Sequence, residues 1–219
     1  MEKPRLVVFD IDGTLVPGTS CERLFTRYLV KNRIVNFNNL ISFIIGGLSL
    51  LPRGKSYIIK ANKGYLRGFD TGYMEDIGRR FFENNVEKRI SKKGINALTA
   101  HKMRGHKVAL LSGMPEFLLK NFSDLFKVSE YYGSVMEIND HKFTGRTVGV
   151  FPLARGKVGI VETILKKHNL EWHNVTAYAD HYLDRHLLEK VGEPVAVNPN
   201  DKLKNLADLN KWRIEYFDK

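Results

Sequence analysis

One cysteine stands in a chain of 219 residues. Cys21 therefore closes no internal disulfide, and nothing in the covalent framework demands an oxidising compartment. No metal-ligand pattern surrounds it, so it reads as a small buried side chain. Long hydrophobic runs are also missing. The longest, Leu40 to Leu51, spans 12 residues, whereas a bilayer-crossing helix needs roughly 20; a buried or interfacial helix is the expected use. The N-terminus has no leader-like pattern, because its first apolar run gives way at once to carboxylates. Repeats and low-complexity stretches are absent. These absences together predict a soluble, cytoplasmic protein. Acidic residues are scarce in one region only. The whole chain has 35 Lys+Arg against 24 Asp+Glu, a net charge of +11. Residues 17–105 alone hold 17 basic and 6 acidic residues, and the remainder balances. That segment is either a unit facing something anionic or a well-solvated basic helical surface. A nucleic-acid-binding stripe is not indicated, since its aromatic residues occupy apolar helical positions rather than alternating with the basic ones.

What is present begins with Leu6-Val7-Val8-Phe9-Asp10-Ile11-Asp12-Gly13-Thr14-Leu15-Val16. An apolar, β-branched run closed by glycine reads as a buried strand ending in a turn. Strand alternation would send Asp10 and Asp12 to the same side of its end. Two carboxylates so close repel each other, and either a cation joins them or one holds a proton. From about Ser20 to Arg104 the spacing is helical with almost no strand signal: Glu22–Val30, Asn36–Leu51 interrupted at Gly46-Gly47, a turn at Pro52-Arg53-Gly54, Lys55–Leu66, a helix capped by Asp70 or Thr71 that ends near Ser91, and Lys92–Arg104. Beyond Gly105 strands and helices alternate. Lys107–Leu111 is a strand leading into Ser112-Gly113 and a helix with Pro115 in its first turn. Glu130–Thr147 forms a hairpin turning at Asn139-Asp140, Arg155–His168 a helix, Val175–Ala179 a strand ending at Asp180, and Pro194–Val197 a further strand. The alternation implies a parallel sheet with helices on both faces, an α/β fold, at a length that sustains a sizeable core.

Three features answer the first two carboxylates. Ser112 and Gly113, placed where a strand becomes a helix, offer a hydroxyl and free backbone N–H groups to an anion. Lys157 follows Arg155-Gly156 at a helix start. Asp180 and Asp184, with His181 between, follow a strand's carboxyl end, the edge at which α/β proteins bind ligands.

In this order, DxDGT at Asp10–Thr14, strand–Ser112-Gly113, Gly156-Lys157 opening a helix, and strand–Asp180-x-x-x-Asp184 resemble the four motifs of the haloacid dehalogenase-like phosphohydrolases. The resemblance runs essentially the whole chain. The helical insert directly after the first motif and the closing Val191–Asn200 segment look like the branch that includes phosphoserine phosphatase. The resemblance implies a Rossmann-like core of residues 1–16 and 106–219 and an all-helical cap of residues 17–105. It implies a Mg²⁺-dependent phosphomonoester hydrolase in which Asp10 is the nucleophile that forms an aspartyl-phosphate. Asp12 would be the general acid and then the base, while Ser112, Gly113 and Lys157 would hold the phosphoryl oxygens. The Mg²⁺ ligands would be the carboxylates of Asp10 and Asp180 and the main-chain carbonyl of Asp12; Thr14 would support the site, and Asp184 would orient Lys157 or the metal shell.

The sequence departs from the family pattern in three places. Ala179 stands before Asp180 where Gly is usual, His181 follows it where a small residue is usual and could crowd or gate the site, and Met114-Pro115 follow Ser112-Gly113. Substrate is left open. Phosphoserine phosphatases carry a Glu at the position of Thr19; the nearest acid here is Glu22. The basic insert and its apolar run suggest a small or lipid-like anionic phosphate, or contact with a membrane surface. A phosphoserine phosphatase proper, a phosphotransferase sharing every motif, and a weakly active phosphate-binding relative remain the alternatives.

Overall fold

The computed structural model describes residues 5–49 and 62–217. At its centre lies β1 (Leu6–Phe9), buried along its whole length. Its side chains alternate between two apolar layers: Val7 and Phe9 enter one, Leu6 and Val8 the other. The helical segment follows as α1 (Cys21–Lys31), α2 (Phe37–Ser49), α3 (Thr71–Phe81) and α4 (Lys92–Met103). Then come β2 (Lys107–Pro115), α5 (Glu116–Phe126), β3 (Glu130–Asn139), β4 (Lys142–Val148), α6 (Arg155–His168), β5 (Val175–Ala179), the one-turn α7 (Arg185–Leu188), β6 (Glu193–Val197), α8 (Asp201–Asn210) and β7 (Arg213–Glu215).

The strands form one seven-stranded sheet in the order β4-β3-β2-β1-β5-β6-β7. All neighbours run parallel except the β3–β4 hairpin. The connections from β1 leave toward β2 on one side and β5 joins on the other, so the strand order reverses beside the carboxyl end of β1. In a sheet of this kind that crevice is where ligands bind. The layer containing Phe9 is closed by Leu98 of α4 and by Leu118, Leu119 and Phe122 of α5; the layer containing Val8 by Val161, Ile164 and Leu165 of α6 and by Leu203 and Ala207 of α8.

Several elements differ from the sequence expectation. β2 does not stop at Leu111 but continues through Ser112 and Gly113 to Pro115, with a register shift against β3. Pro115 is thus the N-cap of α5 rather than its first helical residue, and Ser112 lies in the strand. The hairpin turns at Asp140-His141, both left-handed (φ 48° and 58°), the pairing that matches the twist of two-residue hairpins. Of the expected helix 55–66, residues 55–61 lie outside the described ones, as do the turn 52–54 and the end of the apolar run. Asn62 and Lys63 are not helical, and Gly64–Leu66 is a single 3₁₀ turn.

Nor is the helical segment insulated from the sheet. Gly68 and Thr71 donate backbone hydrogen bonds to Phe143 and His141 of the hairpin, at 2.8 and 2.9 Å, and Phe143 donates to Phe69 at 3.0 Å. The helix α4, placed by sequence with the insert, packs on the sheet: His101 meets the Tyr178 hydroxyl of β5 at 2.9 Å. Phe25 contacts both Phe81 and Phe117 at ring separations of 5.1 and 5.9 Å, so α1, α3 and α5 share one core. Among the described residues no helix is long and apolar enough to cross a membrane.

Candidate active site

The Asp10 main-chain N–H donates to the Tyr178 carbonyl at 3.0 Å, which fixes the chain just past the end of β1. The Asp10 side chain is buried beneath the loop that follows. Its Oδ1 accepts from Lys157 Nζ at 2.5 Å, and the Thr14 hydroxyl approaches Oδ2 at 3.5 Å. Lys157 comes from the first turn of α6. That turn can form because residue 156 is glycine: a Cβ there would strike the Phe151 carbonyl oxygen. The same ammonium donates to Asp184 Oδ2 at 2.9 Å. Lys157 and Asp184 are both almost fully buried.

Asp10, Asp180 and Asp184 each present a carboxylate oxygen, and the three oxygens lie within 4.8 Å of one another. Asp180 follows β5, and its carbonyl accepts from the Asn200 N–H at 3.1 Å. Gly13 holds a left-handed φ of +85°, and a Cβ at that position would fall on the Asp180 carboxylate. The glycine of the DxDGT pattern is therefore required twice, by its backbone and by its neighbour. Burial pushes the Asp10 carboxyl up to about 6, with Lys157 opposing and Asp184 adding to the rise. Lys157 stays charged: burial disfavours its ammonium, but the carboxylates of Asp10 and Asp184 more than offset that and hold its pKa above the usual lysine range. Lys157 thus answers two buried carboxylates, those of Asp10 and Asp184, at once.

Asp12 lies near enough to Asp10 for its charge to raise the Asp10 carboxyl further. β1 ends at Phe9 and the chain then turns tightly, with Val16 donating to the Ile11 carbonyl at 2.9 Å. The Asp12 side chain is outside the three-carboxylate cluster. Oδ2 accepts from the Ser20 hydroxyl at 3.0 Å and Oδ1 from the Cys21 N–H at 2.9 Å. The carboxylate thus sits on the N-terminus of α1, where a negative charge is favoured.

Ser112 is buried and its hydroxyl oxygen accepts from the Met114 N–H at 3.3 Å. The Gly113 carbonyl accepts from Ser134 Oγ at 2.7 Å and from Lys63 Nζ at 3.0 Å. His181 Nδ1 accepts from the Leu183 N–H at 3.1 Å and caps the short turn that carries Asp184. Ala179 is a buried strand residue. Glu22 reaches the same end of the sheet, paired to Lys63 at 2.5 Å and accepting from the Tyr65 hydroxyl at 2.9 Å.

Three contributors carry no local sequence signal. Lys63 is completely buried and links Glu22 to the Gly113 carbonyl across the fold. Tyr65 completes that cluster. Asn198, at a turn after β6, donates from its side-chain amide to the Gly13 carbonyl at 3.1 Å and pins the loop beside Asp10.

A model of the haloacid dehalogenase-like hydrolase family matches residues 7–189. Over 215 residues the chain is 27% identical to a phosphoserine phosphatase of Mycobacterium tuberculosis, covering 95% of this chain and 70% of the other. It is 25% identical over 224 residues to a histidinol-phosphatase of Neisseria meningitidis, covering 97% and 98%. Among solved structures, a protein of unknown function from Bordetella pertussis superposes with a TM-score of 0.82 at 22% identity, over 97% of this chain and 98% of that one. An apo phosphoserine phosphatase superposes with 0.68 at 18% identity, over 99% and 94%. With the family model spanning most of the sequence and the motif residues gathered at one sheet edge, the chain belongs to the haloacid dehalogenase-like hydrolases, on the fold of their phosphoserine phosphatase-like members.

Proposed function

We propose that the protein is a Mg²⁺-dependent phosphomonoester hydrolase that works through an aspartyl-phosphate on Asp10. The observation that supports it most is the Asp10 carboxylate, buried, gripped by Lys157 at 2.5 Å and within ligand distance of Asp180 and Asp184. The donor set suits a hard divalent cation: it is all oxygen, and among the described residues Asp184 Oδ1 is buried with no hydrogen-bond partner. Asp10, Asp180 and Asp184, with the Asp12 main-chain carbonyl, would hold the ion. When bound it neutralises charge on the phosphate dianion that otherwise repels Asp10.

The residues divide the remaining work. Lys157 fixes the rotamer of Asp10 and lends a positive charge to a phosphoryl oxygen. Asp10 attacks phosphorus; its O–P bond forms as the bond to the leaving oxygen breaks. Asp12, held at the start of α1 and outside the carboxylate cluster, donates a proton to the leaving alkoxide. It later takes one from the water that cleaves the acyl phosphate and regenerates Asp10. Ser112 and the Gly113 region receive phosphoryl oxygens at the end of β2. The helices after β1 act as the cap that meets the leaving group, with Glu22, Lys63 and Tyr65 on its inner side. The substrate class is a small anionic phosphomonoester.

The test is hydrolysis of an aryl phosphate by wild type and Asp10→Asn, with Mg²⁺ or with a chelator. Turnover that needs Mg²⁺ and disappears in Asp10→Asn is the expected result. Unchanged turnover in Asp10→Asn, or turnover indifferent to chelation, would overturn the reading.

A further inference from the structure

The helix α2 is inside-out. Its residues Phe37, Ile41, Ile44 and Ile45 recur at helical steps of three and four and share one stripe, and that stripe faces solvent: the four are 73%, 39%, 54% and 57% exposed. The side turned to the protein carries Asn39, Ser42 and Gly46, with the Phe43 ring 6.5 Å from that of Tyr65. Asn39 is buried and donates to the Arg67 carbonyl at 2.7 Å. Ser42 lies against Gly64, and Gly46 lies against the Asn62 amide. Asn62 in turn donates to the Phe43 carbonyl at 2.6 Å. A helix selected only for the fold would point isoleucines in and asparagine out, because the hydrophobic effect rewards that arrangement by about 1.5–3 kcal/mol per buried large side chain. Here hydrogen bonds anchor the polar side, and among the described residues the apolar stripe stays exposed.

We propose that this stripe docks on an anionic lipid bilayer surface, lying in the interfacial plane rather than crossing it. Charge decides between occupants. α2 has no charged residue of its own, but exposed cations adjoin it: Lys31 at the end of α1 and Arg33 in the turn that leads into α2, and Arg67, whose carbonyl holds Asn39. Arg67 and Ile41 also line a cleft of about 440 Å³ with Asn36, Asn39 and Ser42. A second copy of the chain would bring this basic segment against itself. An anionic membrane accepts the isoleucines into its headgroup boundary and neutralises the arginines and lysine together. The docking face connects directly to the proposed active site through Asn62, Lys63 and Tyr65, of which Lys63 touches the Gly113 carbonyl. The surface stands independently of the chemistry assigned to Asp10.

The experiment is co-sedimentation of the full chain with vesicles of phosphatidylcholine alone and of phosphatidylcholine mixed with phosphatidylglycerol, at low and high salt. Wild type is expected to sediment with the mixed vesicles at low salt and to be released as salt screens the cations. Ile44→Asp with Ile45→Asp should lower the bound fraction about tenfold or more, and Lys31→Glu with Arg67→Glu should remove the preference for phosphatidylglycerol. Both variants alter exposed positions and should keep aryl phosphate turnover in solution, which separates this outcome from any failure of the catalytic reading. Absence of sedimentation with either vesicle, binding unaffected by Ile44→Asp/Ile45→Asp, or a wild-type dimer that this double variant dissociates would each overturn the proposal.

Discussion

Replacing Lys157 with methionine keeps the length and apolar stem of the side chain and removes only the ammonium. Asp10 and Asp184 then remain 8% and 4% exposed with no cation between them. Breaking a buried ion pair by removing one partner costs about 3–5 kcal/mol, and for a domain of this size each kcal/mol lowers the melting temperature by about 2–4 °C, so a loss of about 6–20 °C is expected at pH 8. The loss should depend on pH in a stated direction. Burial already pushes the Asp10 carboxyl up to about 6 from 3.8 in wild type, while Lys157 draws it down. Without Lys157 the folded protein retains that proton to still higher pH than the unfolded chain does. More protons bound in the folded state means stability falls as pH rises, so the deficit opens above pH 6 and narrows at pH 5.5. Thermal melts of both proteins without divalent metal at the two pH values measure this. Melting temperatures within about 2 °C of each other at pH 8, or a deficit equal at both pH values, would show that Lys157 acts through packing and not charge.

Gly13→Ala should abolish aryl phosphate turnover, because its Cβ falls on the Asp180 carboxylate; urea midpoints should report a further about 1–2 kcal/mol from the left-handed backbone. His101 sits between His106 and Tyr178, and burial with the nearby His106 lowers its pKa from 6.5 to about 4. The unfolded chain therefore takes up a proton there that the folded chain refuses: its contribution is complete above pH 6.5 and is lost as pH falls toward 4. Asp10 has the opposite slope over much of that window, so the comparison to make is urea unfolding of wild type and His101→Gln at pH 5 and 7. The substitution should reduce acid sensitivity, and an equal pH dependence in both proteins would refute the assignment.

Local signals made much of this legible. α6 and β5 occupy the residues expected of them, 155–168 and 175–179, because each is bounded by residues that end or start structure within one turn. The motif carboxylates and Lys157 are singled out by the resemblance of the ordered four-motif series to the haloacid dehalogenase-like phosphohydrolases, since a lysine at a helix start has no specific signal of its own. What was not legible depends on distant partners. Lys63 meets Glu22 and Gly113, which lie 41 and 50 positions away, and a lone lysine in a loop has no signature for that. The hydrogen bonds that Asp12 accepts from Ser20 and Cys21 depend on where α1 starts in space, which the spacing of the motif does not carry. The run beginning at Leu40 announced hydrophobicity but not its direction; the outward face is set by Asn39 and Asn62, whose hydrogen bonds to Arg67 and Phe43 are tertiary.

The Glu22–Lys63 pair bears on which phosphomonoester fits. A substrate amino group would need a carboxylate to receive it, and Glu22 is the acid nearest the position used for that in phosphoserine phosphatases. Both its oxygens are already taken, one by Lys63 at 2.5 Å and one by Tyr65 at 2.9 Å. Burial raises the Glu22 carboxyl above its ordinary value, and the Lys63 charge and hydrogen bond only partly counter it. An incoming ammonium would have to displace Lys63, which is fully buried and also tethered to the Gly113 carbonyl. Stranding a buried cation costs about 3–5 kcal/mol, or about two to three and a half orders of magnitude in relative rate constant. The pair should thus leave the site indifferent to an amino group. O-phosphoserine and its desamino analogue are expected to show kcat/KM values within about tenfold of each other, a difference of about 1.4 kcal/mol in transition-state binding. A larger preference for phosphoserine, lost in Glu22→Gln, would mean that Lys63 gives way to substrate and that Glu22 reads the amine.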